Sequence, residues 1–293
     1  MRISRLLWLL LMLVPATTFA TPRPYEIIYI DGQQWWVKGW WPLDYIDSIH
    51  FADFDSRLPD DRVRSTGNWG GYACFWSLDG EWLLLDSVKY EVWDDKASES
   101  NGKSHWEKLP QATLREVFKD YCHEGRIVAS WYTHTLMVGR GEMVYHDPDH
   151  IDNHFESEML LEMKEGRLTK RTIYLNRVVV EGFDIDNLTP EQRVEFQQGF
   201  LPVLRRHPEL DTVDRVYFTV KRCTIDSLGH LTVGEVLAHG RGTQPIAAVL
   251  EQEFRQYLEG IHPWKVWHLN GEYFTPLRGE WMMPFFLEKK GEN

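Results

Sequence analysis

The segment Arg215–Leu237, RVYFTVKRCTIDSLGHLTVGEVL, decides the fold expected for the last third of the chain. The run Arg215–Lys221 alternates in polarity, which is typical of a half-buried β-strand. Its apolar face consists of Val216, Phe218 and Val220. Asp226–Gly229 is expected to turn the chain, and Leu231–Leu237 then returns as a second strand. Gly234 breaks the alternation of that strand, as a β-bulge does.

A helix with one apolar face is expected after this hairpin. Pro245 suits the first turn of a helix, where the missing N–H leaves no bond unmade, and Pro263 ends the helix. The helical spacing of the apolar residues predicts one buried face. These residues are Ile246, Val249, Leu250, Phe254, Tyr257, Leu258 and Ile261. The closing run Glu280–Leu287 alternates again and predicts a final strand.

Another helix is expected before the hairpin, within Leu188–Pro208. Thr189 and Gln192 have the spacing of a capping box, and Pro190 fits the first turn. Its apolar stripe consists of Phe196, Phe200, Val203 and Leu204.

This order of elements resembles the C-terminal domain of the TonB family, in which a hairpin packs on one helix and a last strand completes the sheet. The family carries a W-x-P-x-x-x-N-G motif. In this chain Lys265–Leu269 lies between the Trp and the Asn-Gly pair, and the Pro of the motif is absent. The resemblance spans residues 188–287 and implies a small TonB-C-like α+β domain over residues 184–293. An unrelated α+β sandwich with the same element order is the alternative. The matching residues are Val216–Val220, Gly229, Trp264, Asn270-Gly271 and Pro284–Phe286.

Residues 21–183 are expected to form a mainly-β domain with one or two helices, so the fold class of the whole chain is α+β. One helix precedes Gly125, and a short one begins within Pro42–Ile46. Glycine-containing turns between apolar runs indicate hairpins at Asp31-Gly32, Asp79-Gly80, Gly139–Gly141 and Glu165-Gly166. The region faintly resembles a widespread bacterial family without an assigned activity. The matching residues are Pro42-Leu43, Gly71-Tyr72, Phe75–Leu78, Leu83–Leu85 and Ala129–Thr133.

Residues 1–20 have the pattern of a secretory signal peptide. Arg2 and Arg5 precede the apolar core Leu6–Val14, which is too short to span a bilayer. Small residues at Thr18–Ala20 fit the usual cleavage positions. We expect cleavage after Ala20 and an exported, periplasmic chain without a transmembrane span; an uncleaved anchor is the alternative.

The composition is that of a globular protein, with 43% hydrophobic and 26% charged residues. The net charge of −12 argues against nucleic acid and anionic membrane surfaces as partners. The cysteines Cys74, Cys122 and Cys223 allow at most one disulfide, for which Cys74 and Cys122 would be the partners. Their spacing matches neither a disulfide-rich scaffold nor a metal ribbon, so we expect three buried small apolar side chains.

The segment His146–His154 is a candidate metal site. On a helix, His146, His150 and His154 would share one face and could bind zinc. Pro148 and the neighbouring strand patterns argue against a helix. We therefore expect a solvated acidic loop, with no metal and no cofactor.

The first domain also has aromatic and acidic residues that could form a surface. Adjacent residues of a strand face opposite ways, so one of Trp35 and Trp36 could be exposed, although tryptophan in a β domain is usually core. The other tryptophans of this group are Trp40, Trp41, Trp69, Trp76, Trp82 and Trp93. The carboxylates Asp53, Asp55, Asp60 and Asp61 are expected in a solvated loop. No known catalytic motif is present, so no catalytic residue is assigned.

These observations predict an exported, non-catalytic protein that binds a peptide or an envelope protein. The TonB resemblance implies that binding occurs by strand addition, and a second copy of the chain could be the partner. Pro284 and the following lysines are typical of an edge strand. The expected binding residues on this strand are Trp281, Met283 and Phe285. The alternative is a polysaccharide-binding protein, or a carboxylate-dependent hydrolase, that uses the aromatic and acidic surface of the first domain.

Overall fold

A computed structural model describes residues 26–65, 67–94, 103–146, 153–211, 213–240, 243 and 246–287. These residues form a mixed α+β structure that is mostly strands. Its α-helices are α1 Ser48–Ser56, α2 Gln111–Val117, α3 Pro190–Leu204 and α4 Ala247–Gly260. None of the helices described is long and apolar enough to cross a bilayer. The expected signal peptide lies outside the described residues, as do Pro148, His150 and Pro245.

The first ten strands form one sheet. They are β1 Glu26–Ile30, β2 Gln33–Lys38, β3 Tyr72–Asp79, β4 Trp82–Trp93, β5 Ser104–Lys108, β6 Cys122–His123, β7 Arg126–Val128, β8 Thr135–His146, β9 Asn153–Lys164 and β10 Arg167–Leu175. The remaining strands form smaller sheets. They are β11 Arg177–Val180, β12 Arg215–Lys221, β13 Thr224–Ile225, β14 Leu231–Thr232, β15 Glu235–His239, β16 Val266–Leu269, β17 Glu272–Phe274 and β18 Glu280–Phe286.

The chain divides into two compact units. The first unit consists of Met1–Arg140 and Met159–Thr172, and the second of Gly141–Glu158 and Ile173–Asn293. The division therefore falls inside β8, β9 and β10. Residues 141–158, which were predicted to belong to the first domain, lie in the second unit. That residues 21–183 and 184–293 fold as separate domains stays a prediction.

The sheet of the first unit closes on itself. Its order is β10-β9-β8-β2-β1-β3-β4, and β4 pairs again with β10 at Trp82 and Arg167. Further backbone hydrogen bonds at the closure run from Leu83 N to Gly166 O (2.9 Å) and from Leu168 N to Glu81 O (2.6 Å). Large side chains fill the interior, among them Phe54, Trp76, Phe118 and Tyr132, all with 0% exposure.

The predicted turns of the first unit are confirmed at three places. Asp31-Gly32 joins β1 to β2, Gly80-Glu81 joins β3 to β4 directly after Asp79, and Glu165-Gly166 joins β9 to β10. Both residues of the first and third pairs have positive φ, which matches the twist of a tight hairpin.

The hairpin predicted at Gly139–Gly141 is wrong, because β8 runs straight through it. Gly141 instead allows a close approach within the second unit. A Cβ there would lie 2.5 Å from Glu156 Oε2, and that oxygen accepts a hydrogen bond from Glu142 N.

The loop expected around Asp53 and Asp55 is also wrong, because both residues lie on α1. Asp47 begins this helix by accepting hydrogen bonds from Ile49 N and His50 N, which satisfies two otherwise unpaired donors. The sequence pattern had placed a short helix at Pro42–Ile46, where the structure has one 3-10 turn, Pro42–Tyr45.

The second unit contains the three-stranded sheet β15-β12-β18, in which β12 is central and both pairings are antiparallel. The phenylalanine rings of α3 and α4 pack on one face of this sheet. Phe254 lies 4.2 Å from Phe218 and 4.9 Å from Phe200 between ring centroids. The strand predicted over Leu231–Leu237 is split into β14 and β15 at Val233-Gly234. A Cβ at Gly234 would lie 2.3 Å from Arg222 O, so the backbones approach too closely for a side chain there.

A hairpin that the sequence did not predict follows α4. Strands β16 and β17 turn at Asn270-Gly271, both with positive φ, and β16 also pairs with β11. Trp267, Leu269 and Tyr145 form a small separate core beside this hairpin. The sequence pattern had indicated only the step from Trp264 to Asn270-Gly271 there, without strands.

Candidate functional site

The strand β18 lies at one edge of the sheet β15-β12-β18, and no described residue pairs with its outer side. Leu287 N donates to Asp214 O at 2.9 Å. Peptide groups alternate in direction along a strand, so those of Trp281, Met283 and Phe285 also face β12. Those of Met282, Pro284 and Phe286 face away from the sheet. We call these last three peptide groups the outer edge.

The side chains of β18 follow the same alternation. Phe285 is fully buried and Met283 is only 6% exposed, so both pack into the core, and Trp281 is half-buried. Met282 and Phe286 are 63% and 62% exposed. A partner along this strand would therefore meet the side chains of Met282 and Phe286, and not those of the predicted residues Met283 and Phe285.

Pro284 interrupts the outer edge at its centre. It has no N–H, and its ring lies where the donor of another residue would point. Its carbonyl already accepts a hydrogen bond from Gln197 Nε2 of α3 at 3.1 Å. The groups of the outer edge that face away without a described partner are therefore the peptide groups of Met282 and Phe286.

At the opposite edge of the sheet, one polar face of α4 bonds to Ala238 of β15 and to the two residues just before that strand. Glu251 Oε1 accepts from Ala238 N at 3.1 Å, and Glu259 Oε1 accepts from Val233 N at 3.0 Å. Arg255 lies between them and donates to Gly234 O at 3.3 Å. These helix residues are four apart, so they share one face of α4. Of the two edges, β18 is the more open.

The face of the sheet beside Met282 and Phe286 has charged residues at both ends. Lys221 Nζ lies 3.1 Å from Glu280 Oε2 and is ion-paired. At the other end, Arg215 donates to Tyr217 Oη at 2.9 Å, and its guanidinium lies 5.8 Å from the centre of the Phe286 ring.

The histidine segment does not form a shared metal site in the described part of the chain. His146 contacts Asn153, whereas His154 Nδ1 lies 3.1 Å from Glu158 Oε2 and its ring neighbours Tyr145. Adjacent strand residues face opposite ways, so His146 and His154 lie on opposite faces, while His150 is outside the described residues. The described residues hold no cluster of three His, Cys, Asp or Glu side chains suited to a metal ion.

The tryptophans of the first unit are partly core and partly surface. Trp35, Trp41 and Trp76 are buried, whereas Trp40, Trp69 and Trp82 are exposed. Beside Trp82, Glu81 forms an ion pair with Arg167. Two of the clustered aspartates are paired as well, Asp53 with Arg57 and Asp55 with the buried Arg62. The three cysteines are free thiols, and Cys122 is only half-buried.

One buried carboxyl of the first unit was not singled out from the sequence. Glu26 is fully buried, and it accepts hydrogen bonds from Cys74 N at 3.0 Å and from Trp76 Nε1 at 2.6 Å. Burial raises the pKa of Glu26 to about 8, against the lowering effect of these hydrogen bonds. Its position at the start of an apolar strand gives no signal of burial, because a charged residue is common at a strand end.

A histidine on α1 of the first unit is held between two carboxylates. His50 Nδ1 lies 2.6 Å from Asp47 Oδ2, and His50 Nε2 lies 3.3 Å from Asp120 Oδ2. Burial lowers the pKa of His50, but the hydrogen bonds with both carboxylates outweigh it, so the pKa is raised. Both ring nitrogens are occupied, and the arrangement ties α1 to the 3-10 turn Lys119–Tyr121.

No protein-family model, curated protein or solved structure was found to match this chain. Because the comparisons suggest no function, the functional proposal rests on the geometry of β18.

Proposed function

We propose that this protein is an exported, non-catalytic binding protein of the cell envelope, and that its second unit captures an extended segment of a partner protein or peptide along β18. The observation that supports this proposal best is the free outer edge. Met282 and Phe286 combine outward peptide groups with exposed side chains, and no described residue pairs with them. An exposed strand edge is a ready template for another strand.

The order of elements in the second unit is the support for proposing a TonB-C-like module. A hairpin strand, a helix and a closing strand follow one another, and the closing strand pairs with the first strand of the hairpin. The Trp264 side chain after the helix is buried and donates from Nε1 to Leu258 O at 3.0 Å. It therefore fixes the end of α4 against the sheet.

Pro284 limits how the partner would bind. A strand laid along β18 would exchange hydrogen bonds at Met282 and Phe286, whereas Pro284 between them can offer only its carbonyl, which Gln197 already occupies. Pairing in two short stretches favours a weak or transient complex, and exposed apolar side chains on both sides of Pro284 would add contacts.

Substitution at Met282 tests this proposal, because a proline there removes one outward N–H and leaves the bonds with β12 intact. The purified full chain and its Met282→Pro and Met282→Ala variants are immobilised and exposed to envelope extract, and the captured proteins are identified by mass spectrometry. We expect the wild type and Met282→Ala to capture the same partner, and Met282→Pro to capture none of it. Capture that is the same for all three proteins would contradict strand addition at β18. Near-ultraviolet circular dichroism checks that each variant is folded.

A further inference from the structure

The helix α3 contributes one side chain to the outer edge. Gln197 is half-buried, and its Nε2 donates to the carbonyl of Pro284 at 3.1 Å. Because proline has no N–H, this carbonyl is the one backbone group with which Pro284 could bond to an added strand. Gln197 therefore occupies the central hydrogen-bonding position of the free edge.

Helix side chains also bond to the other edge of the sheet, but those side chains are charged. Glu251 bonds to Ala238 of β15, and Arg255 and Glu259 bond to the two residues just before that strand. At β18 a neutral amide makes a single bond. A neutral hydrogen bond contributes little net free energy in water-accessible surroundings, so an incoming N–H can replace it.

We propose that Gln197 is an intramolecular cap that competes with the partner strand for the carbonyl of Pro284. This inference rests on the proposed binding of an extended segment along β18, and it concerns the regulation of that site. Binding requires the Gln197 side chain to leave the carbonyl, and an N–H of the partner then takes its place. The cap lowers the affinity of the edge for any strand and limits unwanted pairing.

The chain offers a matched control for this residue. Gln198 is the next residue of α3; it is exposed and makes no hydrogen bond to the sheet in the described structure. Gln197→Met keeps the length of the side chain and removes the donor, and Gln198→Met makes the same change on the exposed side of the helix. Gln197→Lys restores a donor that can reach the carbonyl.

The probe is a labelled peptide selected from a phage-displayed random library on the wild-type chain, and kept only if its binding is lost with Met282→Pro. Its affinity is measured by fluorescence anisotropy. We expect about threefold to tenfold tighter binding to Gln197→Met, which corresponds to the release of one neutral hydrogen bond. Gln198→Met is expected to match the wild type, and Gln197→Lys to return towards it.

The outcomes separate this inference from the proposed function. Peptides that depend on Met282 but bind Gln197→Met no tighter than the wild type overturn the cap and leave the binding edge in place. A selection that yields no peptide sensitive to Met282→Pro overturns both. A loss of stability in Gln197→Met with unchanged affinity assigns Gln197 a purely structural role, and thermal unfolding of each variant gives that readout.

Discussion

The two units solve the problem of exposed strand edges in different ways. In the first unit, β4 pairs with β10 and returns the sheet to itself. In the second unit the sheet stays open, and helix side chains bond to its edges at Ala238 and Pro284. A closed sheet satisfies its peptide groups with backbone, whereas an open one depends on individual side chains. An open edge can therefore be changed by single substitutions, which makes it the better place to look for binding.

The largest effect is expected where β18 contributes to the core of the open sheet. Phe285→Ala should lower the free energy of unfolding by about 3–5 kcal/mol, because it leaves a cavity among buried aromatic rings. Phe286→Ala, one residue along and exposed, should change it by less than about 0.5 kcal/mol. Urea unfolding of both variants measures the difference. Similar costs for the two substitutions would mean that the strand does not have one buried and one solvent-facing side.

The next effect concerns Glu26, an ionisable group buried in the first unit. The pKa of Glu26 is raised from 4.5 to about 8, so the folded state binds a proton more tightly than the unfolded state. The stability from this group is complete below pH 4.5 and is lost as the pH rises to about 8. Glu26→Gln removes this titration. The difference in unfolding free energy between wild type and variant should therefore change by a few kcal/mol across that window.

A pH series of chemical denaturation on both proteins gives the measurement for Glu26. A difference between the two proteins that stays constant with pH would show that Glu26 keeps the same pKa in the folded and unfolded states. The first unit would then contain a charge that its hydrogen bonds with Cys74 and Trp76 fully compensate.

A smaller effect is expected at the β15 edge of the open sheet. Glu251→Met removes the acceptor of Ala238 N and should cost about 1–3 kcal/mol, because that buried donor loses its partner. Glu251→Gln keeps an acceptor oxygen and should cost less. Thermal unfolding compares the variants, and amide hydrogen exchange at Ala238 reports the edge directly. Exchange at Ala238 that is unchanged in Glu251→Met would mean that the edge is protected by something other than this carboxylate.

The smallest effect belongs to the surface of the first unit. The raised pKa of His50 means that its contribution to stability is complete below pH 6.5 and is lost as the pH rises through the folded-state value. His50→Gln should therefore lower the unfolding temperature more on the acidic side of that range than on the alkaline side. Differential scanning fluorimetry at several pH values measures this, with Asp120→Asn as the companion substitution.

Local patterns predicted much of the fold. Alternation identified β12 and β18, helical spacing identified α4, and glycine turns identified the hairpins at Asp31-Gly32 and Asp79-Gly80. The hairpin β16–β17 was missed because its strands are short and are stabilised by β11, which is distant in sequence. The hairpin at Gly139–Gly141 was wrongly predicted. The sequence alone does not distinguish a glycine that permits close packing from one that permits a turn.

The candidate site was only partly predictable. Proline and the following lysines marked β18 as an edge. The residues of its apolar face, Trp281, Met283 and Phe285, were then predicted to bind the partner. This was wrong for Met283 and Phe285, because the apolar face of an edge strand packs on the core. Which side chains reach the edge from other elements, such as Gln197 and Glu251, depends on contacts between residues far apart in sequence. No local pattern contains that information.

The order of strands in the open sheet also affects how the protein is made. The central strand β12 and its neighbour β15 are close in the chain, whereas its other neighbour, β18, follows only after α4 and the β16–β17 hairpin. Until β18 is in place, the peptide groups on one side of β12 are unpaired. Phe218 and Phe254 also lack their ring contacts with Phe285. Pairings between distant segments form slowly and leave apolar surface exposed meanwhile. A chain that ends before β18 is therefore expected to expose this apolar surface and to accumulate less than the full chain.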